Sequence, residues 1–166
     1  MSYDLYFKGA TETNWKLVKE NLSEAKYEWE SSSLPDGKYI LKVVASDRES
    51  NSRERALEHY MESEPVTFDH TAPVVESFTI VVEEGRKVSA KAKVVDATSV
   101  LSEASYSVDA RDWKALYPED GIFDSSIEEF TLSTEALSPG EHVLTFRASD
   151  ATGNTSAAKQ IVVVGE

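Results

Sequence analysis

Leu34-Pro35-Asp36-Gly37-Lys38-Tyr39-Ile40-Leu41-Lys42-Val43-Val44-Ala45-Ser46-Asp47, followed by Asn51, has a second copy further along the chain. That copy is Leu137-Ser138-Pro139-Gly140-Glu141-His142-Val143-Leu144-Thr145-Phe146-Arg147-Ala148-Ser149-Asp150, followed by Asn154. The separation of the two is constant from the first leucine to the closing asparagine, so nothing is inserted or deleted within the block. Each copy opens on a proline and glycine turn and runs into β-branched, aliphatic and aromatic residues, which predicts a long strand after a tight turn. A second match lies upstream: Leu5, Phe7, Asn14, Trp15, Lys16 and Leu17 against Tyr106, Val108, Asp112, Trp113, Lys114 and Leu116, with a longer hairpin in the first copy. Two matched blocks in one order predict two copies of one module.

Outward from these blocks, Pro65 to Asp69 reads as a last strand of the first copy. His70-Thr71-Ala72-Pro73 reads as a link whose proline suits the start of an edge strand. The boundary is expected at Thr71 to Pro73, giving modules over 1–71 and 72–166. The second copy reads completely. Strands are expected over Val74 to Glu83, Val88 to Val94, Tyr106 to Val108, Trp113 to Tyr117, Ile127 to Leu132, Val143 to Ala148 and Ile161 to Val164, with Glu84-Gly85-Arg86 as a turn. Seven short strands with regularly spaced turn signals predict an all-β, immunoglobulin-like sandwich. The first copy begins at what aligns with the third strand, Tyr3 to Lys8, so its opening strands are absent, and Tyr27 to Glu30 is expected as its fifth strand. Arg53 to Met61 carries good helix formers and predicts a short helical insertion.

The strand from Leu34 to Asp47, and its partner ending in Ser149-Asp150-Ala151-Thr152-Gly153-Asn154, resemble the sixth strand of bacterial fibronectin type III-like and Ig-like modules. With Trp15 and Trp113 upstream, each copy also resembles the Y_Y_Y module that follows β-propellers in bacterial hybrid two-component sensors. That resemblance implies tandem sandwich modules serving as spacers, docking surfaces or accessory domains in extracytoplasmic proteins, with no shared catalytic residue. The chain departs from the pattern at His142, where a tyrosine is expected, and in the missing opening strands.

Seventeen basic against thirty acidic residues leave a net charge of −13, which repels phosphate backbones and anionic lipid surfaces. Nucleic acid and membrane partners are therefore not expected. No run approaches the roughly 20 apolar residues of a membrane-spanning helix. Met1-Ser2-Tyr3-Asp4 has neither the basic nor the apolar region of a signal peptide. With no cysteine, disulfides, thiol catalysis and cysteine-ligated zinc are excluded.

Tyr39, two residues after the turn glycine, is placed as a tyrosine-corner residue tied to nearby backbone. Trp15, Trp29 and Trp113 read as sheet-covering aromatics, with a sugar-stacking platform as the alternative. His59, His70 and His142 show no metal-ligand or triad spacing and no evident carboxylate partner, and no serine sits in a nucleophile motif. Glu128-Glu129, Glu83-Glu84 and the Asp120/Asp124 pair read as solvated acids at strand ends and turns. Calcium is the one candidate cofactor. Asp69, Asp96, Asp120, Asp124 and Asp150 fall in a linker and loops expected at one pole of the sandwich, where hard oxygen ligands could gather, though aspartate is also a common turn residue.

The expected function is non-catalytic: a structural or protein-interaction module of a larger extracytoplasmic protein. The alternatives are a carbohydrate-binding accessory module taking a polysaccharide, or a sensor segment of a propeller-containing signalling protein. Because the first copy would leave an apolar sheet face uncovered, self-association through residues 1–70, by strand exchange or face packing, or else marked disorder there, is expected.

Overall fold

A computed structural model describes residues 1–52 and 54–166. The chain divides into two compact units, Met1–Phe68 and Asp69–Glu166. The division falls ahead of the expected Thr71 to Pro73, because Asp69 is buried among partners that belong to the second unit.

Unit 1 is one antiparallel sheet. Its strands are β1 (Ser2–Gly9), β2 (Lys16–Leu22), β3 (Gly37–Ser46), β4 (Glu58–Glu62) and β5 (Val66–Phe68). The order is β2-β1-β3-β4, with β5 also on β3. The turn glycine Gly37 opens β3, and the Tyr39 hydroxyl donates to the Pro35 carbonyl at 2.7 Å, as the corner reading requires. β4 and β5 share one edge of β3, Lys42 facing Glu62 and Tyr39 facing Val66, with Pro65 at the break between them.

Two expectations fail here. Arg53 lies outside the described residues, but Glu58 to Met61 are strand rather than helix. A helix this short is marginal in water, whereas the free edge of β3 offers a full ladder of hydrogen bonds. Tyr27 to Glu30 is not a strand either. A fifth strand in such a module pairs with the second strand, and among the described residues of unit 1 there is no such strand to receive it. The segment instead lays Trp29 against Phe7 and Phe68, ring centroids 5.1 and 5.7 Å apart.

Unit 2 is a two-layer sandwich built from β6 (Val74–Val82), β7 (Val88–Val95), β8 (Leu101–Val108), β9 (Lys114–Leu116), β10 (Ile127–Ser133), β11 (Gly140–Asp150) and β12 (Thr155–Val164). One sheet runs β10-β7-β6 and the other β12-β11-β8-β9. The strands are those expected, but β8, β11 and β12 start earlier. Glu84–Arg86 forms a single 3₁₀ turn. Alternation sets the core: Val88, Ala90, Ala92 and Val94 of β7 and Phe130 and Leu132 of β10 face Tyr106, Leu144, Phe146 and Val162 of the other sheet. Phe146 lies 5.4 Å from Phe130 and 5.7 Å from Phe78 between ring centroids. A three-strand sheet on a four-strand sheet, all antiparallel, is the immunoglobulin and fibronectin type III-like arrangement.

The two units repeat at the level of register. Leu5 faces Val43 and Phe7 faces Leu41 in unit 1, while Tyr106 faces Phe146 and Val108 faces Leu144 in unit 2. These are the pairs the sequence repeat matches.

Candidate functional site

Three loops of unit 2 bring carboxylates together. Asp69 precedes β6, Asp96 follows β7 and Asp150 ends β11, and all three are buried. One carboxylate oxygen of each lies within 4.8 Å of the other two. Each also shapes its own loop. Asp96 Oδ1 accepts from the Thr98 and Ser99 amides at 2.8 and 2.7 Å. Asp150 Oδ1 accepts from the Thr152 and Asn154 amides and the Thr152 hydroxyl, and its Oδ2 from Asn154 Nδ2. Asp69 accepts from the Thr71 amide, and from the Ser99 hydroxyl at 2.5 Å; its carbonyl takes a bond from Asn154 Nδ2 at 3.0 Å. Burial works against the ionised form of Asp150, but the bonds from Asn154 and Thr152 outweigh it and hold its carboxyl below the usual range.

Carboxylates gathered this closely repel one another when ionised. Hydrogen bonds offset part of this, and a divalent cation would remove it. Calcium takes oxygen ligands at about 2.4 Å, so two oxygens on one ion sit at most about 4.8 Å apart. The oxygens of Asp69, Asp96 and Asp150 meet that limit.

Asp120 and Asp124 do not join them. Both are exposed, and Asp120 Oδ1 caps the Ile122 amide at 3.1 Å in a local turn. For Asp120 the reason is the path of the β9–β10 connection, where the Glu119 N–H bonds the Glu129 carbonyl and the Gly121 N–H the Pro118 carbonyl; Asp124 stays exposed although Ser125 and Ser126 after it accept from the Leu101 and Asp96 amides. Glu128 corrects the reading of Glu128-Glu129 as solvated acids. It is 5% exposed and shares the inward face of β10 with Phe130 and Leu132, its Oε1 accepting from the Ser125 amide at 3.1 Å. The alternation of Glu128, Phe130 and Leu132 was the signal that could have found it.

The histidine reading also changes, because His142 does have a carboxylate partner. Its Nδ1 lies 2.8 Å from Asp109 Oδ2, and its Nε2 lies 2.8 Å from the Ser138 carbonyl. That carbonyl stands four residues back, as the Pro35 carbonyl does from Tyr39, so His142 fills the tyrosine-corner position with an equivalent bond. A carboxylate and a carbonyl both accept, so the ring is best satisfied with both nitrogens protonated. The bond to Asp109, then that to Ser138, raises the imidazole above its ordinary range, and the same bond lowers Asp109. Asp109 reaches its place on a turn where it and Ala110 both take positive φ, 53° and 54°, and its Oδ1 also caps the Val143 amide.

The tryptophans are dispersed. Trp15 is half-buried with the Lys8 and Lys42 ammonium groups 4.7 and 4.4 Å from its ring centre. Trp29 is half-buried in unit 1. Trp113 is 45% exposed, but the Arg147 guanidinium lies 4.3 Å over its ring.

Unit 2 thus belongs to the class of immunoglobulin and fibronectin type III-like sandwiches. No protein-family model matches the chain, and no curated protein matches it in sequence. Among solved structures it is similar to the FN1–FN3 domains of chicken CNTN1, at 16% identity and a TM-score of 0.49, covering 99% of this chain and 56% of that one. This chain therefore spans a little over half of that protein's length, and its fold class rests on its own strand order. Among the described residues no helix is long and apolar enough to cross a membrane.

Proposed function

We propose that the chain is a non-catalytic structural and protein-interaction module of a larger bacterial extracytoplasmic protein, acting as a spacer or accessory unit. The observation that carries this is how unit 2 spends its polar groups. Its sandwich interior is filled by apolar side chains, and both nitrogens of its buried histidine are held by Asp109 and by backbone. A depression of about 300 Å³ beside β8 is lined by Tyr106, Arg111, Asp112, Lys114, Thr134 and Glu135, and the Thr134 hydroxyl in it is already bonded to the Glu135 carbonyl and the Val88 amide. The Thr134 hydroxyl is thus engaged by backbone rather than poised against a base. The extracytoplasmic and bacterial assignments follow the resemblance of the Leu34 to Asp47 and Leu137 to Asp150 strands. The carbohydrate-binding alternative has less support, because Arg147 covers one face of the most exposed tryptophan. The test is a panel of chromogenic ester, phosphate and glycoside substrates together with a glycan array. Neither turnover nor glycan binding is expected, and turnover proportional to protein, or binding abolished by Trp113→Ala, would overturn the reading.

A second reading is supported by the convergence of Asp69, Asp96 and Asp150: this pole holds Ca²⁺, which stiffens the entry to unit 2. The ion would take those three carboxylates, with the rest of its shell from backbone oxygens and water. Millimolar calcium should then raise the melting temperature of unit 2 by about 5 °C or more over chelator. Asp96→Asn, which keeps the turn-capping oxygen, should abolish the rise. An unchanged melting temperature in the wild type removes the calcium site.

A further inference from the structure

We propose that the depression beside β8 in unit 2 binds a small zwitterion with an apolar side chain, the chemistry of an apolar α-amino acid. This goes beyond the interaction role and rests on unit 2 alone. The apolar lining comes from Tyr106, which is 7% exposed, and from Val108 and Leu137, which pack against the core.

Two observations point to a ligand. The first is the Tyr106 hydroxyl. It has no hydrogen-bond partner among the described residues, although a tyrosine this deeply buried normally finds one. The unbonded Ser105 and Ser156 hydroxyls are sealed from solvent, whereas that of Tyr106 is not, and the depression is the opening its side chain lines. The fold does not require a hydroxyl here either. Leu5 holds the matching place in unit 1, facing Val43 as Tyr106 faces Phe146. The phenol is therefore a donor left for something outside the chain.

The second observation is the charge around the opening. Arg111, Lys114, Asp112 and Glu135 line it, all four are exposed, and none is in an ion pair among the described residues. The Lys114 ammonium stands 5.9 Å from the centre of the Tyr106 ring, so positive charge lies beside the phenol. A ligand carboxylate is matched to Lys114, to Arg111 and to the Tyr106 hydroxyl, which donates to it, and a ligand ammonium is matched to Asp112 and Glu135. An aliphatic side chain then covers Val108 and Leu137. Thr134 does not compete, because its hydroxyl is held by backbone. A volume of about 300 Å³ is at the small end of ligand pockets, which suits a single amino acid bound with millimolar affinity.

Titration of the isotope-labelled full chain with L-leucine to about 20 mM at about pH 7, followed by NMR, tests it. Saturable shifts are expected at Tyr106, Val108 and Leu137. Tyr106→Phe should weaken binding roughly tenfold yet move the melting temperature of unit 2 by no more than about 2 °C, because the hydroxyl it removes bonds nothing in the chain. Lys114→Gln, at an exposed position, should weaken leucine as well. Isocaproate and isoamylamine, which carry the leucine side chain with only one of its two charges, should each bind at least about fivefold more weakly than leucine. The proposal is overturned by an absence of saturable shifts in the wild type, by either variant binding leucine as tightly as the wild type, or by either singly charged analogue matching leucine. None of these results would touch the non-catalytic reading, which the turnover and glycan assays decide.

Discussion

Units 1 and 2 share a strand pair, a register and a corner, yet among the described residues only unit 2 has a buried apolar core. Leu5 meets Val43 in unit 1 as Tyr106 meets Phe146 in unit 2, but Val43 is 42% exposed and Phe146 is fully buried. Strand pairing is specified by backbone hydrogen bonds and by turn residues close in sequence, so both copies acquire it. Burial needs a second layer, and only unit 2 contributes one, through β6, β7 and β10. The comparison separates what a sheet needs to form from what it needs to be stabilised by apolar burial.

The largest effect should come from one substitution made at equivalent positions. Leu144→Ala should destabilise unit 2 by about 2–5 kcal/mol, because it leaves a cavity in a packed interior. Leu41→Ala should cost unit 1 less than half as much, since its side chain is only partly covered. Urea unfolding followed by NMR signals of each unit measures both, and equal losses would mean that the open face is already covered.

A smaller effect distinguishes the two corners. His142 is raised in the folded state, so its contribution is fully present below the ordinary histidine range near pH 6.5 and is lost as pH rises through the higher folded value. The groups acting on its ring are Asp109, which favours the charged form, and Arg111, which opposes it; the Ser138 carbonyl adds to the first, and the β12 residue opposite is Val162. Asp109 and Asp150 are lowered, so their contributions hold above the ordinary aspartate range near pH 4 and fall away as pH drops through their folded values. Unit 2 should therefore be most stable from about pH 4.5 to 6.5. Asp109→Asn should cost about 0.5–1 kcal/mol near pH 6, the pair being partly exposed, and less near pH 8. Unit 1, with a phenol at the corner, should show no step from this source. Thermal melts across pH 5 to 9 check this, and a His142→Gln variant retaining the full dependence would place its origin elsewhere.

The smallest effect concerns the turn that carries Asp109. Ala110 sits at φ 54°, where a β-carbon costs roughly 1 kcal/mol, so Ala110→Gly should raise the stability of unit 2 by up to about that amount. If the substitution lowers the melting temperature, the left-handed turn is not strained.

The sequence alone determined the matched strand pair of the two units, the seven strands of unit 2 and the all-β class, because a period-2 pattern between glycine and proline turns is a local property of the chain. It also marked Asp69, Asp96 and Asp150, since each begins a turn visible in sequence. It misled where the outcome depended on a partner strand. Glu58 to Met61 has helix formers but lies on the edge of β3, and Tyr27 to Glu30 has strand formers but no strand to pair with. Only the tertiary structure decided which acids converge, because Asp120 and Asp124 lie in an acidic loop like the others yet remain exposed. It likewise decided the fate of His142 and Glu128, whose partners and burial are set by chain segments brought together by the sheets. Local patterns fix hydrogen-bonded elements; which side chains lose their water depends on what the second layer places over them.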